Sequence, residues 1–173
     1  SNDLKVIMPN CPDMSHDSSS AEYASAIEKK IKKENKKNLP VFISGMSRGT
    51  IRATNIASRL KEKIRGVILL STTTGRTHDG TASDPPTDEA VAAFLMIIHK
   101  DDTCDSSHHL PDLEEFSSDL KLVKDKAIVK VEGGIPSRSN RRSARCGTRS
   151  HHGMNGIHYE VFTIMNNWIN KRI

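Results

Sequence analysis

Residues 41 to 57 read Val41-Phe-Ile-Ser-Gly-Met-Ser-Arg-Gly-Thr-Ile-Arg-Ala-Thr-Asn-Ile-Ala57, in which an apolar run leads through Gly-x-Ser-x-Gly into a helical pattern. Val41–Ile43 predicts a strand. Apolar side chains then recur at helical spacing, at Ala53, Ile56, Ala57 and Leu60. A serine on such a strand-to-helix turn is held exposed, and the following backbone N–H, that of Arg48, faces a reacting group. The pattern predicts that Ser47 is a nucleophile; a polar residue in an ordinary turn is the alternative.

The rest of the chain repeats the alternation of apolar runs and helical patterns. Further strands are predicted at Leu4–Met8, Val67–Leu70, Phe94–Ile98 and Ala127–Val131. Helices are predicted after residue 19, near 109–120 and from Ile157 to Ile169, with loops at 71–90 and 133–150. This order is typical of a three-layer α/β/α sandwich around a mostly parallel sheet. We expect one domain over residues 1–173, with about five strands and with functional residues at the strand carboxyl ends.

Composition narrows the classes of function. The 173 residues carry a net charge of +5, but aromatic residues make up only 4%. Rings that could stack on bases are scarce, so we expect no nucleic-acid partner. No apolar run approaches the roughly 20 residues that a membrane-spanning helix needs. No basic-then-apolar signal segment opens the sequence, and no glycine-rich loop ending in Lys-Ser or Lys-Thr supports nucleotide hydrolysis.

A serine nucleophile needs a general base, and the base needs an acid that orients it. Asp101 and Asp102 directly follow the predicted strand that ends at Ile98, and either fits the acid by position. His151 and His152 lie before the last predicted helix, and either could be the base. The sequence therefore supplies serine, aspartate and histidine in the chain order of the α/β-hydrolases.

The pieces together resemble a bacterial, serine esterase-like branch of the α/β-hydrolase superfamily. The matching segments are 44–50 (SGMSRGT), 97–104 (IIHKDDTC), Gly133-Gly134, and Cys146 through His152-Gly153 into the helix of Trp168 and Ile169. The resemblance covers most of the chain. It implies that Asp102, two residues before a cysteine, is the acid, and that His152, directly before a glycine, is the base. It also implies hydrolysis of a small-molecule ester or related acyl bond through an acyl-serine, with no cofactor.

The resemblance also predicts a disulfide between two of the three cysteines. If the triad assembles as implied, Cys104 and Cys146 lie together at its edge, where a disulfide would close a loop of about 40 residues and contribute roughly 3–4 kcal/mol. It would tie the acid loop to the base loop. A bridge would favour a periplasmic or secreted protein, and two reduced thiols a cytoplasmic one. Cys11 would remain free.

The chain also departs from the resemblance, which implies eight strands in the order 1-2-4-3-5-6-7-8, the last five being readable here. This chain would be the carboxyl-terminal part of that fold. The third strand and the loop after it, which supplies the second oxyanion donor, have no counterpart. Leu4–Met8 would then pair directly with Val41–Ile43, or the sheet would keep an exposed edge that favours self-association into a homo-oligomer.

Three other features invite functional interpretations. Cys104-x-x-x-His108 has a spacing that suits zinc, but no paired ligand motif accompanies it, so we predict no metal. The basic cluster Arg138–Arg145 could hold a substrate anion, and His16 with its neighbours Asp13 and Asp17 could line a pocket. Solvated loops are the simpler interpretation of both.

The rival class of function is a non-catalytic α/β binding or assembly module. The two classes differ in the geometry that they require. His152 Nε2 within hydrogen-bond reach of Ser47 Oγ would favour the enzyme, whereas His152 turned to solvent, or a covered Ser47, would favour the module.

Overall fold

The computed structural model describes residues 4–8, 17, 19–107 and 109–173. Within them, strands and helices alternate as the sequence predicts. The elements are α1 (Ala21–Glu34), β1 (Phe42–Met46), α2 (Gly49–Leu60), β2 (Gly66–Leu70), β3 (Ala93–His99), α3 (Leu110–Asp119), β4 (Lys126–Val131), α4 (Arg142–Arg145) and α5 (His158–Asn170). The predicted α/β class is confirmed.

The four strands form one parallel sheet in the order β1-β2-β3-β4. All five residues of β2 are buried, because helices cover both faces of the sheet. Met46 lies opposite Leu70, and Leu70 opposite Ile97, so the strands end at one common edge. The residues that follow these ends are therefore neighbours in space although they are far apart in sequence.

Helices pack on both faces of the sheet and make three layers. On one face the core includes residues of α1, α2 and α3, among them Ala24, Ile27, Ile56, Leu60, Leu113 and Phe116. On the other face α5 packs through Val161 and Trp168. Trp168 belongs to the core, and a side chain at Gly66 would come within 2.6 Å of its ring. The absence of a side chain at Gly66 thus lets α5 approach the sheet.

The prediction of a strand at Leu4–Met8 is wrong. These residues form neither helix nor strand, and Val6 and Met8 are more than four-fifths exposed. A strand exists only when a neighbour shares its backbone hydrogen bonds, and this segment does not pair with β1. The described sheet thus has four strands rather than five, and β1 lies at its edge.

The segment 133–150, predicted as loop, contains the one-turn helix α4. Cys11, Asp13, His16 and His108 lie outside the described residues. Among the residues that are described, every helix is too short or too polar to cross a membrane.

Candidate active site

Ser47 lies on a strained turn between β1 and α2. Its φ is +52°, a left-handed conformation that non-glycine residues rarely adopt. The Ser47 N–H donates to the Leu70 carbonyl at the end of the neighbouring strand, with a donor–acceptor distance of 2.9 Å. The side chain is half-buried. The strand-to-helix turn predicted from the sequence is therefore present, and its serine is not covered.

The two glycines that flank Ser47 have different roles. A Cβ on Gly45 would lie 2.3 Å from the carbonyl oxygen of Gly49, so only glycine fits where β1 meets α2. A Cβ on Gly49 would meet no atom within 4 Å. The close approach of β1 and α2 therefore depends on the absence of a side chain at Gly45 and not at Gly49.

Thr50 stabilises the turn through hydrogen bonds, a role that the sequence did not reveal. Its N–H and its hydroxyl both donate to the Ser47 carbonyl, at 2.8 and 2.6 Å. Its Oγ1 also accepts a hydrogen bond from the Thr73 N–H at 3.1 Å. The backbone that carries Ser47 is thus tied to the loop that follows β2.

Arg48 has two distinct groups at this turn. It immediately precedes α2, so its backbone N–H has no acceptor within the helix. Its guanidinium instead reaches Asp79 at 2.7 Å, and this hydrogen bond, followed by one from His78, lowers the pKa of the Asp79 carboxyl. The side chain therefore points to the loop after β2.

Asp102 and His152 form a buried pair. Oδ2 of Asp102 lies 3.0 Å from Nδ1 of His152, and the side chains are 0% and 2% exposed. Asp102 follows β3, and His152 lies in a 3₁₀ turn before α5. Of the two candidate acids the structure pairs Asp102 with a histidine, and of the two candidate bases it pairs His152 with an acid.

The surroundings of Asp102 stabilise its ionised form. Burial by itself would raise the pKa of this carboxyl, but hydrogen bonds from His152, the Cys104 N–H and the Ser107 hydroxyl, with the charge of His152, lower it below its ordinary value. The Cys104 N–H donates to Oδ1 at 2.8 Å and Ser107 donates to Oδ2 at 2.9 Å. Asp102 is therefore a carboxylate with donors at both oxygens.

His152 does not hydrogen-bond to Ser47. Its Nε2 is buried and has no hydrogen-bond partner among the described residues. The backbone around it is nevertheless tied to the strand beside the serine: Ser71, which follows Leu70, donates its hydroxyl to the His152 carbonyl at 2.7 Å. The geometry expected of the enzyme is absent, because Nε2 of His152 does not hydrogen-bond to Ser47. The geometry expected of the binding module is also absent, because His152 is buried and Ser47 is not covered. Catalytic hydrogen bonds are often unmade before substrate binds.

Asp101 and His151, the other candidates for the acid and the base, make contacts outside the Asp102–His152 pair. Asp101 is exposed, and its carbonyl lies 3.1 Å from Nδ1 of His151. His151 stacks on His99 with ring centroids 4.2 Å apart. The three residues form the one group of possible metal ligands found among the described residues. His99, however, accepts the Asp101 N–H at Nδ1 and faces the Gly133 carbonyl with Nε2, so neither ring nitrogen is free for a metal.

One disulfide and one ion pair join the loop that carries Asp102 to the loop that carries His152. Cys104 and Cys146 form a disulfide, as the resemblance implied, with their Cα atoms 4.7 Å apart. Cys104 cannot then serve as a thiolate ligand for zinc. Arg145 donates to both carboxylate oxygens of Asp105 and to the Thr103 carbonyl. This arginine of the basic cluster is therefore structural rather than available to a substrate anion.

Comparison with known proteins identifies the fold. No protein-family model matches the sequence, and no curated protein is significantly similar to it. The acylaminoacyl peptidase of Pyrococcus horikoshii matches with a TM-score of 0.51 and 16% identity, over 88% of this chain and 27% of that protein. The monoacylglycerol lipase of Paleococcus ferrophilus matches with a TM-score of 0.49 and 17% identity, over 69% of this chain and 68% of that one.

The chain has the α/β-hydrolase fold. It spans about a quarter of the length of the peptidase. At this level of identity the likeness concerns the fold alone.

Asp102 should make the stability of the domain sensitive to acid. Its pKa in the folded chain lies below the ordinary 3.8, so the unfolded chain binds this proton more readily. The stabilisation that the ionised Asp102 gives to the folded chain is complete above the pKa of this carboxyl in the unfolded chain. It is lost as the pH falls through its pKa in the folded chain. We expect Asp102→Asn to flatten the fall in unfolding free energy below about pH 4. Urea titrations across this range measure it, with Asp101→Asn as control; equal slopes for Asp102→Asn and wild type would contradict the expectation.

Proposed function

We propose that this chain is a serine hydrolase that cleaves an ester or related acyl bond of a small molecule through Ser47, His152 and Asp102. The observation that carries the proposal is the buried Asp102–His152 pair, which lies at the sheet edge that also holds the strained Ser47. Nε2 of His152 has no hydrogen-bond partner within the described part of the chain. The acylaminoacyl peptidase among the structural neighbours supplies the analogy for acyl-bond cleavage.

Each residue has a defined part in the proposed reaction. His152 Nε2 takes the proton of the Ser47 hydroxyl as Oγ attacks the acyl carbonyl carbon. The Arg48 N–H donates to the carbonyl oxygen as it becomes an oxyanion. Asp102 holds the proton on Nδ1 of His152 and stabilises the imidazolium. His152 then protonates the leaving alcohol or amine, and water repeats the sequence to release the acid.

The hydroxyl of Ser47 and the ring of His152 must come within hydrogen-bond reach for this reaction. That hydrogen bond is not made among the described residues, and a chain in which it never forms would be the second candidate, a non-catalytic binding or assembly module with a hydrolase fold. The two candidates differ in one measurable property, which is the reactivity of the Ser47 hydroxyl towards an electrophile that mimics an acyl group.

A fluorophosphonate probe tests the proposal. The folded chain should gain one phosphonyl group on Ser47, seen by intact mass and located by peptide mapping. Ser47→Ala should gain none, and His152→Ala should react about 10²–10⁴-fold more slowly, because the general base is lost. Wild-type protein denatured before exposure is the control for non-specific labelling. A folded wild-type chain without adduct would overturn the hydrolase and leave the binding module.

A further inference from the structure

Ser107 contacts both members of the buried pair. Its Oγ lies 2.9 Å from Asp102 Oδ2 and 2.8 Å from His152 Nδ1, while those two atoms are 3.0 Å apart. The three atoms thus form a closed triangle. Ser107 is 3% exposed, so water does not compete for these contacts. Nothing in the sequence marks this serine, which lies within a polar run after Cys104.

Counting protons in the triangle fixes the form of the histidine ring. Asp102 is a carboxylate and can only accept hydrogen bonds, so the single hydroxyl proton of Ser107 goes to Oδ2. Nδ1 of His152 then needs a proton of its own, which it shares between the Asp102 and Ser107 oxygens. A neutral imidazole with a proton on Nδ1 keeps a lone pair on Nε2. This is the tautomer that can accept a proton from Ser47.

We propose that Ser107 is a positioning residue of the Ser47 reaction, which holds His152 in the base-competent tautomer and orientation. This inference rests on the function proposed above. A single acceptor would leave the ring able to turn about its bond to Cβ, whereas two acceptors on different residues fix its plane. The Ser107 hydroxyl donates its proton to Asp102 and so offsets part of the carboxylate charge. Its oxygen at the same time accepts the proton on Nδ1 of His152.

The surrounding backbone keeps Ser107 in place. Its N–H donates to the Cys104 carbonyl at 3.0 Å, so the serine is one turn away from the disulfide to Cys146. The carbonyl of the preceding Ser106 accepts the N–H groups of Thr74 and Gly75, at 2.9 and 3.0 Å. The disulfide and the loop after β2 therefore hold the turn that presents Ser107 to His152.

The chain contains a matched control for this proposal. Ser106 is the same residue type at the adjacent position and is 8% exposed. Its hydroxyl, however, lies 3.3 Å from the Cys104 sulfur and does not contact Asp102 or His152 in the described structure. Ser106→Ala thus removes a buried hydroxyl from the same turn without touching the triangle.

The test measures the rate of fluorophosphonate labelling of Ser47, with kcat and KM on a p-nitrophenyl ester, for wild type, Ser107→Ala and Ser106→Ala. Loss of one hydrogen bond to a charged group predicts that Ser107→Ala lowers kcat and the labelling rate roughly 10-fold or more. KM should stay unchanged, and Ser106→Ala should stay within about twofold of wild type. Proton NMR should show the low-field Nδ1–H signal of His152 moved or broadened only in the Ser107 variant.

A second pair of variants separates the hydroxyl from packing. Threonine and valine have nearly the same shape, but only threonine carries a hydroxyl. Ser47 should therefore be labelled roughly 10-fold faster in Ser107→Thr than in Ser107→Val. Equal rates for these two variants, with an unchanged His152 signal, would overturn the role of Ser107 while a labelled wild type keeps the hydrolase. An unlabelled wild type would overturn the proposed hydrolase instead, and the NMR comparison would still show whether Ser107 orders His152.

Discussion

Asp102→Asn should lower the rate of Ser47 acylation by about 10⁴-fold, as loss of the orienting carboxylate does in serine hydrolases with a Ser-His-Asp triad. The asparagine side chain has nearly the same shape, but its NH₂ would face Nδ1 of His152, which is 3.0 Å from the present carboxylate oxygen. Nδ1 would then accept, and the ring proton would move to Nε2. An imidazole that carries its proton on Nε2 cannot take one from Ser47.

The measurement is the second-order rate constant of fluorophosphonate labelling at pH 7 to 8, with folding checked by circular dichroism. The matched control is Asp101→Asn, one residue earlier, whose side chain is exposed and which the sequence alone does not separate from Asp102. We expect this control to label at the wild-type rate. A larger loss in Asp101→Asn, or a loss below tenfold in Asp102→Asn, would contradict the assignment of the acid.

Gly45→Ala should destabilise the domain by about 3 kcal/mol or more, at the upper end of the cost of overpacking. The added methyl group would lie 2.3 Å from the Gly49 carbonyl oxygen and 2.6 Å from its carbon. These are backbone atoms at the start of α2, so they cannot move aside as a flexible side chain would. Relief requires β1 and α2 to separate, which also displaces Ser47.

Gly49→Ala is the matched control within the same motif. A methyl group there meets open space, and alanine favours a helix over glycine by up to about 1 kcal/mol. We expect this variant to be as stable as wild type or slightly more so. Chemical denaturation of both variants gives the comparison; equal stability of Gly45→Ala and Gly49→Ala would show that β1 and α2 are not as close as described.

The main features of the fold could be predicted because they depend on residues close together in the chain. Apolar runs of strand length and helical spacing gave the parallel sheet and its helices, and Gly-x-Ser-x-Gly gave the turn at Ser47. Leu4–Met8 shows the limit of this reasoning. The segment has the composition of a strand, but no strand of the sheet shares its hydrogen bonds, and composition alone cannot supply a partner.

The candidate site could be predicted in part. Residue order suggested a serine, an aspartate and a histidine, with two candidates each for the last two. The choice of Asp102 and His152 came from a resemblance, and in the structure these two residues lie within hydrogen-bond distance although 50 positions separate them. Ser107 and Ser71 had no signal of their own, because a serine in a polar run looks the same whether or not it faces a histidine.

By itself, the sequence determined the α/β architecture and the place of Ser47 on a sharp turn, since both follow from local periodicity and from neighbouring glycines. Only the tertiary structure decided that Gly45 rather than Gly49 permits that turn, and that Ser107 completes the Asp102–His152 pair. The physical reason is that hydrogen bonds and steric contacts depend on distance in space. The parallel sheet brings to one edge residues that the chain holds up to 81 positions apart.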